Sequence, residues 1–208
     1  MRHAPVLVWI VGITALLEAA FTLLDPMMPD TTSLRATAFI YGAFWPELLG
    51  HWDPVFAGQR MTMFLSYAFL HGGFLHMLFN MLILLHLGRE VVLRLGPRGF
   101  LLLYALTAIG GGAMYGLLAS SEAPMLGASG AVFGLFGATM YWDCQRRRAF
   151  GASLEPLVRM TIGLVVMNVV LYFLVSGMLA WQAHLGGYLA GVLTARIATP
   201  TLAHTDRR

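Results

Sequence analysis

The sequence predicts an all-α, polytopic membrane protein built as a bundle of six transmembrane helices. Three observations predict it. The 208 residues are 58% hydrophobic and 11% charged, with a mean hydropathy of +0.72, far more apolar than a soluble domain of this size requires. The apolar residues fall into runs of helix length separated by short polar pieces. All 13 basic residues are arginine, and they gather in the gaps between those runs. A sequence pI near 9.4 could suggest a nucleic-acid partner, but the positive-inside rule accounts for the clusters, and no nucleic acid is expected. The single cysteine, Cys144, excludes an internal disulfide.

The first run, residues 5–24, is long enough to span a bilayer and contains Glu18. With no convincing small-residue cleavage site before Asp25, it reads as a retained helix rather than a signal peptide. Glu18 is expected to face other helices and hold a structural hydrogen bond. Residues 25–62 form the longest connection, with prolines at 26, 29, 46 and 54 and the aromatics Tyr41, Trp45 and Trp52. Its uncharged piece 36–46 is too short to span and reads as interfacial. Further helices are expected at about 63–87, 100–118, 129–145, 157–175 and 181–198, making 1–208 a single membrane domain.

Counting arginines orients this bundle. Arg2, Arg89, Arg94, Arg98, Arg146, Arg147, Arg148, Arg159, Arg196, Arg207 and Arg208 fall on one side, and only Arg35 and Arg60 on the other. Both termini are therefore expected in the cytoplasm, with the Ser120–Gly127 loop outside.

In that topology three distant polar clusters share one depth. His76 and Asn80 lie near the outer end of the second helix, Ser129 opens the fourth, and His184 lies one turn into the sixth. A fourth helix of sixteen or seventeen residues covers about 25 Å of a hydrocarbon core about 30 Å thick. Anchored at its inner arginines, it leaves Ser129 below the outer surface, where hydrolysis needs a water-filled pocket.

Ser129 lies in Gly127-Ala128-Ser129-Gly130, where flanking glycines permit a sharp turn and a helix start directs free N–H groups outward. Gly130, Gly134 and Ala138 make a small-residue face, and Ala183, Gly187 and Gly191 repeat its spacing. Two such faces let helices pack backbone to backbone, close enough for His184 to reach Ser129. His76 and Asn80 are four apart on one face and can donate hydrogen bonds without a fixed charge, which suits an oxyanion hole. His71 and His86 are expected off that face, in structural hydrogen bonds. With no His-Glu-x-x-His, cysteine cluster or carboxylate among these residues, neither metal nor other cofactor is expected.

Three stretches together resemble the rhomboid intramembrane serine proteases: His71-Gly72-Gly73-Phe74-Leu75-His76-Met77-Leu78-Phe79-Asn80, Gly127-Ala128-Ser129-Gly130, and Ala183-His184-Leu185-Gly186-Gly187-Tyr188-Leu189-Ala190-Gly191. They come in the family's order, and the resemblance covers roughly residues 60–198. It implies a six-helix rhomboid fold, with Ser129 as nucleophile, His184 as general base, and His76, Asn80 and the Ser129 N–H as oxyanion donors. Phe133 falls where the family often has a tyrosine packed on the catalytic histidine. The family's frequent Trp-Arg pair and glutamate are replaced by Thr62, Met63 and Val92, with Arg60 and Glu90 nearby at opposite ends of the second helix.

The resemblance implies a protease of the bacterial inner membrane, with the lipid bilayer around it and transmembrane proteins as substrates, cut near the outer face by a Ser-His dyad. Asp143 lies fourteen residues after Ser129, about 20 Å down the same helix, so no carboxylate is expected to orient His184. Packing on Phe133 is the expected substitute. A non-catalytic relative that binds membrane clients for quality control is the alternative, though this chain retains both serine and histidine. A small transporter would call for charges deep in several helices, beyond Glu18 and Arg159.

Overall fold

The computed structural model describes residues 5–29, 33–119 and 123–198. Arg2, Arg207 and Arg208, and residues 120–122 of the expected outer loop, lie outside the described residues. The α-helices within them are α1 (Pro5–Leu24), α2 (Leu34–Gly42), α3 (Gln59–Ser66), α4 (Phe74–Leu118), α5 (Ser129–Ala149), α6 (Glu155–Leu174) and α7 (Trp181–Ala198).

α1 buries Leu7, Ile10, Thr14, Glu18 and Phe21, one stripe at spacings of three and four. Leu7 packs at Gly88 of α4, where there is no Cβ to hold it off. α4 runs for 45 residues and bends at Gly96, whose φ of 72° lies outside helical space. Pro97 follows, lacking an N–H and crowding the preceding turn, so the direction changes there. The two halves of α4 supply the second and third expected helices.

The core is formed by α5, α7 and the second half of α4, and the expected small-residue faces meet there. A side chain on Gly187 would overlap the Gly130 carbonyl, and one on Gly191 the Gly134 carbonyl. Backbone therefore packs on backbone between α5 and α7. Where α4 meets α5, Tyr67 donates to the Ala108 carbonyl at 2.8 Å. At the far end of α5 the Arg94 guanidinium lies over Trp142, 4.6 Å from the ring centroid. α6 buries none of its residues and lies at the periphery of the bundle.

By length and composition, α1 with its short 3-10 extension, α4 and α6 are each apolar enough to cross a membrane. α5 and α7, of 21 and 18 residues, are buried among them through small residues.

The structure corrects two boundaries and adds a short helix. The second helix does not begin at Met63: α3 ends at Ser66, a 3-10 turn covers Tyr67–Phe69, and α4 starts at Phe74. Gly73, with φ 151°, makes that break inside an apolar run where hydropathy alone shows none. The fourth helix continues through the arginine triplet to Ala149, because Arg146 and Arg147 pair with Asp143 on its surface. The connection 25–62 holds a helix, α2, capped by the Ser33 hydroxyl on Ala36 N–H.

Candidate active site

The loop before Ser129 is held by hydrogen bonds from three directions. Phe44 and Met125 exchange N–H···O bonds of 2.9 and 2.8 Å, and Gly127 N–H donates to the Tyr67 carbonyl at 3.0 Å. His71 Nε2 accepts the Ala128 N–H at 3.3 Å. The chain then enters α5 with no side-chain cap, so the first-turn N–H groups of Ser129 and Gly130 have no partner within the helix.

Gly127 has φ 121°, a conformation that favours glycine, and a Cβ there would lie 2.8 Å from His76 Cε1. Its absence lets the His76 ring close onto the turn beside Ser129. Gly72 N–H faces His76 Nδ1 at 3.5 Å, directing Nε2 to the Gly127 side. Asn80 is buried and donates one amide hydrogen to the His76 carbonyl at 2.8 Å. That bond keeps Asn80 against its own helix.

Ser129 Oγ and His184 Nε2 are 2.9 Å apart although 55 residues separate them in sequence. Phe133 stacks on His184, with centroids 4.2 Å apart and planes 6° from parallel. Both rings are buried, whereas Ser129 is half-buried and open to approach. Beside them, between α5, α6 and α7, lies a cavity of about 620 Å³ lined by Phe133, Leu164, Asn168, Trp181, His184 and Tyr188. Ala128 and Gly130 are buried against neighbouring elements and shape the turn.

Sequence reasoning missed three contributors. Asn168 of α6 places Oδ1 2.5 Å from His184 Nδ1, and its signal was an amide inside an apolar run. His71, expected in a structural hydrogen bond, makes one from the loop between the 3-10 turn and α4, to Ala128 N–H. His86 lies exposed on α4. Arg35 grips Glu18 through two nitrogens at 2.8 and 3.0 Å and donates to the His71 carbonyl at 2.9 Å. That ties α1 and α2 to the loop carrying His71. Gln59 adds a second clasp, accepting Val55 N–H at 2.8 Å and donating to the Ile40 carbonyl at 2.7 Å. The connection is thus fastened without the residues replaced by Thr62, Met63 and Val92.

A profile of the rhomboid domain matches residues 58–201. The chain is similar to Rhomboid-like protease 3 of Toxoplasma gondii, 32% identical over 145 residues, covering 67% of this chain and 52% of that protein. It is also similar to two proteins named Rhomboid protease GlpG. The one from Yersinia pseudotuberculosis is 33% identical over 151 residues, 70% of this chain and 51% of that protein. The one from Serratia proteamaculans is 28% identical over 197 residues, 94% of this chain and 64% of that protein. The chain spans between 24% and 52% of the length of several such relatives. With apolar helices long enough to cross a bilayer and a domain match over most of its length, this integral membrane protein belongs to the rhomboid family.

Proposed function

We propose that the protein is an intramembrane serine endopeptidase that cuts transmembrane segments of other proteins near the outer membrane face. The observation that carries this reading is the 2.9 Å contact between Ser129 Oγ and His184 Nε2, next to uncapped N–H groups at the start of α5. His184 accepts the Ser129 proton as Oγ attacks the scissile carbonyl, and passes it to the departing amine as the C–N bond breaks. Water then attacks the acyl-enzyme, its proton going to His184 and from there to Ser129. The Ser129 N–H, His76 and Asn80 are assigned to the oxyanion that forms at each attack. The apolar cavity beside His184 suits aliphatic side chains of a membrane-embedded segment.

The active end opens to the outer side of a bacterial inner membrane, with both termini cytoplasmic. Purified protein incubated with a model transmembrane substrate in detergent tests the activity, wild type beside Ser129→Ala. Cleavage by the wild type alone supports the protease; client binding without cleavage by either would favour the non-catalytic relative.

A further inference from the structure

His184 can carry its proton on either ring nitrogen, and only one tautomer leaves Nε2 free to accept from Ser129. The geometry points to Asn168 as the residue that selects this tautomer, a positioning residue on α6 for the base on α7. This rests on the Ser129–His184 reading above.

The amide's orientation follows from its second partner. Asn168 Nδ2 donates to the Leu164 carbonyl one turn earlier at 2.8 Å. A flipped amide would set two acceptor oxygens against each other, so Oδ1 is the atom that faces His184. Oδ1 lies 2.5 Å from His184 Nδ1 and can only accept. Nδ1 therefore carries the hydrogen, and the Nε2 lone pair is turned to Ser129 Oγ at 2.9 Å. Phe133 restrains the tilt of the ring from its face, while Asn168 sets its rotation and its proton.

During acylation the Ser129 proton moves to Nε2 as the Oγ–carbon bond forms, and leaves with the amine as the C–N bond breaks. The Nδ1 hydrogen stays in place, bonded to Asn168, which exchanges no proton. As a neutral acceptor, Asn168 orients the imidazole without the charge that an aspartate brings to the same place in a triad. It also links otherwise peripheral α6 to the core, so a purely structural tie is the competing explanation.

Steady-state cleavage and histidine 15N NMR of the full chain in detergent micelles separate the two, using wild type, Asn168→Leu and Asn168→Asp. Asn168→Leu should lower kcat roughly 10-fold, the scale of one neutral hydrogen bond, with KM within about twofold. Asn168→Asp keeps an acceptor at the same reach but sets its second oxygen against the Leu164 carbonyl, so it should hold Nδ1 protonated while recovering only part of kcat. The wild-type His184 signals should show Nδ1 protonated and Nε2 bare, and Asn168→Leu should mix the tautomers. Unchanged kcat and tautomer in Asn168→Leu, with only thermal stability lowered, would overturn the assignment. An Asn168→Leu protein whose kcat falls but whose His184 tautomer is unchanged would also overturn it. A wild type that cleaves nothing yet shows the expected tautomer shift would remove the protease reading and leave the role of Asn168 standing.

Discussion

Phe133 lies flat on His184, 4.2 Å between ring centroids, one helical turn after the serine that the same imidazole contacts. A stacked aromatic pair contributes about 0.5–1.5 kcal/mol beyond the area it buries. Phe133→Ala should therefore lower kcat by roughly 2- to 10-fold with little change in KM. Phe133→Tyr, which keeps the ring, should stay close to wild type. Steady-state kinetics on both variants decides it, and equal damage by the two would show that stacking is not what counts.

On the proposed reading, Ser129→Ala and His184→Ala each remove a covalent or proton-transfer role that nothing adjacent replaces, so neither should give detectable cleavage. Asn80→Ala removes one of the proposed oxyanion donors and should cost about 10²–10³ in kcat, or roughly 3–4 kcal/mol. KM should barely move, because the donor acts on charge that develops in the transition state. His76→Ala should be similar or milder. An Asn80→Ala protein turning over at the wild-type rate would reduce Asn80 to its bond with the His76 carbonyl.

Asp143 is committed at the far end of α5, paired with Arg146 and with Arg147 at 2.7 Å. Asp143→Asn should leave turnover nearly intact. A loss as deep as that of His184→Ala would require an acidic partner for His184 that Asn168 does not supply.

The Glu18–Arg35 pair should be a stability element. Glu18 is 3% exposed and Arg35 24% exposed, so removing the carboxylate strands a partly buried guanidinium. Glu18→Ala should cost about 2–3 kcal/mol, less than a fully buried pair because water reaches the arginine. Thermal unfolding of both single variants and the double variant gives the coupling directly. Additive losses would mean that the two side chains act independently.

Reporter fusions test the orientation. A reporter placed within Ser120–Gly127 should read as external, and one after Arg148 as cytoplasmic. The opposite pattern would invert the bundle and put Ser129 at the cytoplasmic face.

By itself the sequence determined the helical membrane class, the positions of most helices and the small-residue faces that bring α5 and α7 together. These are local properties: hydropathy summed over about twenty residues, and glycines four apart on one helix. The closeness of Ser129 and His184 was legible for the same reason, since Gly187 and Gly191 meet Gly130 and Gly134 in one register. The break before Phe74 was not legible, because the run from Met63 is apolar on both sides of Gly72 and Gly73 and hydropathy does not register a backbone turn. Only the tertiary structure decided that His71 would reach Ala128, that Arg35 would close on Glu18 across 17 residues, and that Asn168 would meet His184. Each of these bonds joins groups on different parts of the fold, and a hydrogen bond forms only within about 3 Å. A shift of one helix against another by a single residue's rise, 1.5 Å, would break it.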